Sequence, residues 1–482
     1  MRMNRWVGFL TSIVVLFSIL NPASVMAKEG RTLEDESIYD LLVDRFDNGN
    51  FTNDENIDTQ DMSAFSGGDF AGIINRIDYI SEMGFTMISL GSIFATETYD
   101  GSHVLNYETL EPHFGSNDEL AELIEVAHGK KMSIMADFPF SGVSANHIWA
   151  KDGLFTSTPA DKGTIDWDSS DKLVKEALKN AVIAFVEEHH LDGIRLTKLD
   201  GFDTAYINEV IEAIKEIQPD IYVISNEAVE ANFDAVPNND KGEALKETFV
   251  SFDSDSKSLI LFEDQAKMEF IQLDELSGPR FTFDMVEKRM FPPTRWKLAT
   301  TALFTLPGIP VVTYGTEIAV NGESAPQSHP LVNFKTDMEL YDFIGDLNKL
   351  RNQSEALRNG DYEILHNEDG FIVYKVANED ETWIVALNNS TTTSNFEFPK
   401  ELVGEKKKLR GVLDGDLVKE ADDGVFRVVL NREIAEIYIV EEDKGFNTPY
   451  LIASILIYVL FLSFLFIVWR RGKKSGQQSV EK

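Results

Sequence analysis

Short apolar runs of β-strand type alternate with amphipathic helical stretches from Ser37 to about Leu357. Seven runs carry this pattern: Ile38–Val43, Phe85–Leu90, Met132–Ala136, Gly193–Leu196, Ile221–Ile224, Met268–Ile271 and Ile309–Val312. Parallel strands need long crossover connections, which are usually helices. An alternation that continues for roughly 300 residues is typical of a (β/α)8 barrel, whereas a doubly wound sheet, the alternative, usually has fewer units. We therefore predict an α/β fold with a (β/α)8 TIM barrel over residues 28–357.

The pattern changes at about Gly360, where strands follow one another with turn residues between them and no helical stretches. Phe371–Val376, Thr382–Leu387 and Ile434–Val440 are such strands. Consecutive strands without crossover helices pair in antiparallel fashion. We therefore predict a C-terminal antiparallel β-sandwich domain over residues 358–445. We also predict a short insertion after the third barrel strand, at about 138–170.

Both ends of the chain carry apolar segments. A basic start, the apolar run Trp6–Leu20 and a small-residue exit at Ala27 predict a secretory signal peptide over residues 1–27, with a retained N-terminal anchor as the alternative. Residues 450–469 contain no charge and are long enough for a transmembrane helix; a buried core helix is the alternative. Four basic residues at the start of the tail 470–482, at positions 470, 471, 473 and 474, indicate that it is cytoplasmic. The expected location is the cell membrane, single-pass, with the bulk of the protein extracytoplasmic.

Composition excludes several classes of function. The chain has 81 acidic against 44 basic residues, a net charge of −37, which repels phosphate backbones and excludes nucleic-acid binding as a main role. It has no cysteine, which excludes disulfides, thiolate nucleophiles and Cys-ligated metals. Most of the acidic charge is expected to be a solvated surface.

Several motifs resemble those of glycoside hydrolase family 13, the α-amylase family, over essentially the whole exterior portion. Val43–Asn50 is similar to the family's first strand and loop, Gly67–Asp69 to the entry of its first helix, and Thr305–Pro310 and Tyr314–Ile318 to its eighth-strand signature. The resemblance implies the barrel fold and retaining hydrolysis of α-glucans by two carboxyl groups roughly 5 Å apart.

The same resemblance assigns the catalytic positions. The strand-4 motif keeps Arg195, but the position of the nucleophilic Asp is Thr197, a neutral hydroxyl that is a poor nucleophile without a neighbouring base. The strand-5 acid is retained as Glu227. Counting back from Arg280 in the strand-7 motif assigns the stabilising Asp to Ser277. We expect that Glu227 persists mainly because Arg195 pairs with it, and less as a surviving catalytic acid.

A loop near the N-terminus is similar to the calcium site of cyclodextrin glucanotransferases. Hard Ca²⁺ takes six to eight oxygen ligands from carboxylates, amides and backbone carbonyls. The resemblance implies one calcium site with Asn48, Asn50, Asn53, Asp54, the carbonyl of Gly67, and Asp69 as ligands. An Asn/Gly turn held by its own hydrogen bonds is the alternative.

Three functions follow from these features. The first is a membrane-anchored α-amylase-like protein that binds an α-glucan or oligosaccharide and does not hydrolyse it, since its nucleophile and stabilising Asp are replaced. The second is an active α-glucan hydrolase or transglycosylase with relocated carboxylates, for which Glu275 is the candidate. The third is a protein-interaction ectodomain that stabilises a membrane partner. Whether the chain is an enzyme is therefore open at this stage.

Overall fold

The computed structural model describes residues 31–265, 268–443 and 448–478. These residues form two compact units, one running to Ser394 and including Leu430–Ala435, the other containing Asn395–Val429 and the residues from Glu436 onward. The predicted signal peptide lies outside the described residues.

The strands, in chain order, are β1 Ile38–Asp40, β2 Met87–Ser89, β3 Phe94–Thr96, β4 Val104–Leu110, β5 Ser133–Pro139, β6 Val143–Ser144, β7 Ser157–Pro159, β8 Thr164–Trp167, β9 Gly193–Thr197, β10 Tyr222–Ser225, β11 Val236–Pro237, β12 Glu269–Gln272, β13 Ile309–Thr313, β14 Asp361–Glu368, β15 Phe371–Ala377, β16 Thr382–Asn388, β17 Ser394–Pro399, β18 Lys407–Gly411, β19 Leu417–Lys419, β20 Val425–Leu430 and β21 Ile434–Glu442.

The α-helices are Val43–Phe46, Phe70–Asn75, Ile77–Glu82, Asn117–Gly129, Ile148–Lys151, Lys172–His189, Thr204–Ile217, Asn239–Phe249, Phe281–Glu287, Pro292–Thr305, Glu339–Gln353, Glu355–Asn359, Lys400–Val403 and Thr448–Gln478. Several of the longer barrel helices begin with side-chain caps. Ser116 and Glu119 form a reciprocal capping box at the start of Asn117–Gly129, and Asp203 accepts the Tyr206 N–H at the start of Thr204–Ile217.

Eight parallel strands form the predicted barrel. Their order in the sheet is β10-β9-β5-β2-β1-β13-β12-β11. A parallel bridge between Ile224 and Ala235 joins its two edge strands, so the barrel is nearly closed. The prediction of a barrel is confirmed, and the doubly wound alternative is wrong. One barrel strand, β11, is only two residues long and was not among the seven predicted runs.

The barrel interior is apolar at one end and polar at the other. Ile38, Met87, Met135 and Phe270 form the apolar cluster, and Leu33 of a preceding 3-10 helix packs onto it. Because side chains alternate along a strand, the residues two positions further on point to the same interior. Polar side chains therefore lie at the carboxyl ends of the strands, where barrel enzymes carry their sites.

The region after β5 contains a small antiparallel sheet. β8 pairs with both β6 and β7. Rings of Tyr107, Trp149 and Trp167 pack around His147 beside it. Tyr107 from β4 also donates a hydrogen bond to the carbonyl of Pro139 at 2.9 Å, which holds the β3–β4 hairpin against the end of β5.

The C-terminal strands are antiparallel, as predicted. In the first unit β15 pairs with β14 and β16; in the second unit β18 pairs with β19 and β21, and β17 with β20. The expectation that this region lacks helices was wrong, because the four residues Lys400–Val403 form a helical turn.

The last described helix, Thr448–Gln478, contains a long apolar stretch. Residues Leu451–Arg470 have a mean hydropathy of 2.9, and none of that stretch is buried within the protein. Its 20 residues would span about 30 Å as a helix, which matches the hydrocarbon thickness of a bilayer. By length and composition this helix is a candidate membrane span.

Candidate functional site

An ion cluster occupies the polar end of the barrel interior. Arg195 of β9 donates through Nε to Asp137 Oδ1 at 2.7 Å and through Nη2 to Asp137 Oδ2 at 3.0 Å. The same Nη2 donates to Asp40 Oδ1 at 3.1 Å. Although burial disfavours its charge, the two carboxylates raise the pKa of Arg195. Gln272 extends the cluster by donating to Asp40 and to Thr313 at 3.4 and 2.9 Å.

This geometry corrects one prediction. Arg195 pairs with Asp137 and Asp40, and not with Glu227. The ion pairs that Arg195 forms with Asp137 and Asp40 therefore lie deeper in the barrel than Glu227, the residue assigned as the catalytic acid. The sequence analysis did not assign Asp40 to the site. Its position as an aspartate inside the apolar run Ile38–Val43 could have indicated a buried, functional carboxylate.

Thr197 is the last residue of β9 and is buried. It lies two residues beyond Arg195, so both side chains are on the inward face of the strand. Its backbone carbonyl accepts a hydrogen bond from Phe140 N at 2.8 Å. Its hydroxyl makes no hydrogen bond to any residue that the structure describes. A base that could activate this hydroxyl is therefore not in hydrogen-bond contact with it within the described chain.

Glu227 is half-buried two residues after β10. Its carboxylate accepts from the backbone N–H of Leu199, with oxygen–nitrogen distances of 3.1 and 3.3 Å, and its own N–H donates to Ser225 Oγ at 3.0 Å. Since Leu199 is two residues beyond Thr197, the strand-5 carboxylate and the strand-4 position lie on the same part of the barrel mouth.

The loop after β12 contains one buried and one half-buried carboxylate. Asp274 is buried and accepts from Arg280 Nε at 2.9 Å and from Phe281 N at 2.6 Å. Glu275 is half-buried and accepts only from Ser277 Oγ, at 3.3 Å, among the described residues. Ser277 itself is exposed. Asp274 thus has a structural role, and Glu275 is the carboxylate of this loop with capacity for a further partner.

Two phenylalanines beside the mouth pack away from it. Asp137 of β5 points inward to Arg195, so Phe138 points outward and stacks on Tyr107. Phe140 packs edge-on against Phe202. Neither ring therefore plugs the barrel.

Some of the predicted calcium ligands contact one another in the structure. Asn48 Nδ2 donates to both oxygens of Asp54, at 2.9 and 3.1 Å. A Cβ on Gly67 would lie 2.5 Å from Asn48 Nδ2 and 2.8 Å from Asp54 Oδ1, so these three residues are in contact. Asn50 Nδ2 lies 3.5 Å from Asn53 Oδ1. The buried Asn48 Oδ1 has no hydrogen-bond partner among the described residues.

Asp69 is used differently from the other members of this loop. Its Oδ1 accepts from Gly49 N at 3.0 Å and from Gly72 N at 2.6 Å, and its Oδ2 accepts from Asn50 N at 2.8 Å. It caps the helix Phe70–Asn75. In the described chain no three His, Cys, Asp or Glu side chains are grouped as a metal site. Asn48 Oδ1 is thus a buried oxygen of this loop that could accept a positive partner, while both oxygens of Asp54 already accept from Asn48 Nδ2.

Comparison with known proteins agrees with this architecture. Residues 40–177 match the family model of the α-amylase catalytic domain, and residues 360–438 match that of the α-amylase C-terminal domain. A solved α-amylase structure from Anoxybacillus is 33% identical with a TM-score of 0.82, and the match covers 86% of this chain and 100% of that one.

Two further relatives are similar. The α-amylase of Geobacillus thermoleovorans, solved in complex with acarbose, is 30% identical with a TM-score of 0.80; the match covers 86% of this chain and 100% of that one. The β/α-amylase of Paenibacillus polymyxa is 26% identical over 79% of this chain, which spans 36% of that longer protein.

Proposed function

Because this chain belongs to the α-amylase family of glycoside hydrolases, we propose that it is a member that binds α-glucan oligosaccharides at its barrel mouth without hydrolysing them. The observation that carries this proposal is Thr197, on the inward face at the end of β9, in the position that the resemblance assigns to the nucleophile. Retaining hydrolysis needs a carboxylate there to trap the sugar while a second carboxyl group protonates the leaving oxygen.

The buried carboxylates nearby are committed to other partners. Asp40 and Asp137 neutralise Arg195, and Asp274 holds Arg280. Withdrawing any of them to attack a sugar would leave a buried guanidinium short of its counter-ion, which costs several kcal/mol. Glu227 would then serve as a hydrogen-bonding group for a sugar hydroxyl.

An oligosaccharide ligand is supported by the relative from Geobacillus thermoleovorans, which was solved with acarbose. Glu275 supports the second candidate, an active enzyme with a relocated carboxylate, because within the described residues it accepts only a weak hydrogen bond, from Ser277. The two candidates predict opposite results for the same measurement.

That measurement is product sizing after incubation of the full chain with maltoheptaose. The expected result is binding by calorimetry with no shorter products. A Thr197→Asp, Ser277→Asp double variant, which returns both family carboxylates, should release products slowly, whereas Thr197→Asn, Ser277→Asn should not. Turnover by the unmodified chain that survives Thr197→Ala and disappears with Glu275→Gln would refute the proposal in favour of relocation.

We further propose that the protein is anchored in the cell membrane by residues 451–470, with the barrel extracytoplasmic. The length and hydropathy of this helix support the span, and the basic residues that follow it support a cytoplasmic end. Resistance to alkaline carbonate extraction, and protease access to the barrel but not to the tail in intact cells, are the expected results. Release by carbonate would contradict the anchor.

Calcium binding is proposed for the loop around Asn48. Asn48 Oδ1, Asp54 and Gly67 would hold the ion, which would supply the positive partner that Asn48 Oδ1 lacks. Its role would be structural, because the loop precedes the helix Phe70–Asn75 and contains none of the mouth residues.

A further inference from the structure

The apolar helix at the C-terminal end carries two hydroxyl side chains on one face. Ser454 and Tyr458 lie within the stretch Leu451–Arg470 and are four residues apart, which places them one above the other on the helix. Leu465 follows Tyr458 by two turns and lies on the same side. We call these three residues the hydroxyl face. Leu456 is two residues from each hydroxyl, so it points about 160° away from both.

The hydroxyl of Tyr458 has no partner in its own chain. The side chain is 70% exposed, and it makes no hydrogen bond within the part of the chain that the structure describes. Tyr458 follows Leu451 by seven residues, so its Cα lies about 10 Å below the start of the apolar stretch. A helical side chain leans over the preceding turn, so the hydroxyl lies near the depth of Ser454, still about 4 Å inside the stretch.

The tyrosine differs in this respect from the two serines of the stretch. A serine hydroxyl in a helix can donate to the carbonyl four residues earlier, and its oxygen can still accept. Ser454 and Ser463 can therefore be satisfied within their own helix. The hydroxyl of Tyr458 stands at the end of a ring, too far from its own backbone to bond to it. In the hydrocarbon of a bilayer there is no water to take the place of a partner, so Tyr458 needs an acceptor from another segment.

A second copy of the same helix offers that acceptor at the right depth. Two copies in one membrane run in the same direction, and a twofold axis between them places equivalent residues at equal depth. Because Tyr458 leans one turn toward the start of the helix, its hydroxyl would meet Ser454 of the second copy. The symmetry makes this contact reciprocal, so both tyrosines gain an acceptor at once.

We propose that the hydroxyl face is a dimerisation surface, through which two copies of this chain associate by reciprocal hydrogen bonds from Tyr458 to Ser454. This inference rests on the membrane anchor proposed above and goes beyond it, since an anchor alone needs no partner. Leu465 would pack against its counterpart one turn and more below the hydroxyls. The net charge of −37 on each copy opposes association only weakly, because salt screens charges more than about 8 Å apart.

The absence of cysteine from the chain allows the face to be tested by cross-linking without background. Leu465→Cys places a thiol on the hydroxyl face, and Leu456→Cys places one on the opposite face. The two leucines are equally far from the midpoint of Leu451–Arg470, so they are matched in depth. Oxidation of the full chain in native membranes with copper phenanthroline should link Leu465→Cys into a dimer and leave Leu456→Cys a monomer.

Two outcomes of the cross-linking would overturn the proposal. Equal linkage of the two variants would show that association does not use the hydroxyl face. Linkage of Leu465→Cys to a protein of another mass would show that a different membrane protein occupies the face.

The hydrogen bond itself is tested by energy transfer between labelled copies of the full chain in phosphatidylcholine vesicles of increasing lipid content. Tyr458→Phe and Ser454→Ala should each weaken the dimer about fivefold to tenfold, since each removes both reciprocal bonds. The double variant should be no weaker than either single one, because the same bonds are lost. Ser463→Ala, at the serine on the opposite face, is the matched control. An unchanged dimer in Tyr458→Phe would refute the reciprocal bond.

Failure of the dimer is distinguishable from failure of the anchor. A chain that resists carbonate extraction but shows no energy transfer at any lipid content overturns the dimer and leaves the anchor standing. A chain that carbonate releases overturns both. Neither result bears on glucan binding at the barrel mouth.

Discussion

Arg195 Nε lies 2.7 Å from Asp137 Oδ1 inside the barrel, on a strand adjacent to that of its partner. Their parallel register aligns Asp137 with Arg195 directly, so both side chains point to the same interior face. This pair, with Asp40 as a third member, sets the polar end of the barrel.

Asp137→Asn should destabilise the protein by about 3–5 kcal/mol, because it removes one of two counter-ions from a buried guanidinium. Urea denaturation in detergent measures the change. The control is Asp78→Asn, whose exposed pair with Lys130 should be worth less than about 1 kcal/mol. Equal effects at the two sites would show that the interior pair contributes no more than a surface one.

The carboxyl group of Asp44 gives stability a pH dependence. Burial raises its pKa to about 6, against the lowering effect of Arg45 and of the Ser66 and Gly67 N–H groups. Because the folded pKa is above the unfolded value of 3.8, the folded state binds the proton more tightly. The contribution of Asp44 is therefore complete below about pH 4 and is lost as the pH rises through about 6.

Relative to Asp44→Asn, the unmodified chain should lose stability on the order of 2–3 kcal/mol between pH 4 and pH 7. Denaturation of both proteins at each pH isolates this difference, since the other titrating groups are shared. A parallel pH dependence of the two proteins would contradict the raised pKa.

Gly72 should not tolerate a side chain. A Cβ there would lie 1.8 Å from the carbonyl oxygen of Asp47, a backbone atom that cannot move independently. Gly72→Ala is expected to cost more than about 3 kcal/mol, because overpacking against backbone adds to any helix-propensity gain. Gly129→Ala, where nothing lies within 4 Å, should instead stabilise by about 0.5–1 kcal/mol. Thermal unfolding compares the two, and a destabilised Gly129→Ala would undermine this reasoning.

Calcium should raise the melting temperature of the full chain, and EGTA should lower it, if the loop around Asn48 binds the ion. Asn48→Asp adds a charged ligand and should strengthen calcium binding by roughly tenfold, whereas Asp54→Asn should abolish the shift. Magnesium at the same concentration is the control, since its small octahedral shell suits this loop poorly. A shift of equal size with both ions would argue against a specific calcium site.

Much of the fold could be predicted from the sequence because strand runs and helical stretches alternate with clear periods. The strand β11 could not be predicted, since Val236–Pro237 is too short to show an alternation of apolar and polar residues. It is defined by its pairing with β12. The helix Lys400–Val403 was missed for the same reason.

The contacts within the candidate site could not be predicted from the sequence. Thr197 ends β9, Arg195 lies in the middle of that strand, and Glu227 follows β10 by two residues, while the catalytic roles of these positions stay predictions. The pairing of Arg195 with Glu227 was wrong, because one-dimensional spacing does not say which of several carboxylates is nearest. Asp137, on the neighbouring strand, has the better position.

The interior salt cluster also bears on how such a protein can arise. Asp40, Arg195 and Asp137 hydrogen-bond to one another and not to Thr197, so a change of side chain at the end of β9 removes no bond of this cluster. The end of β9 is therefore a position where evolution can exchange one side chain for another without unpairing a buried charge.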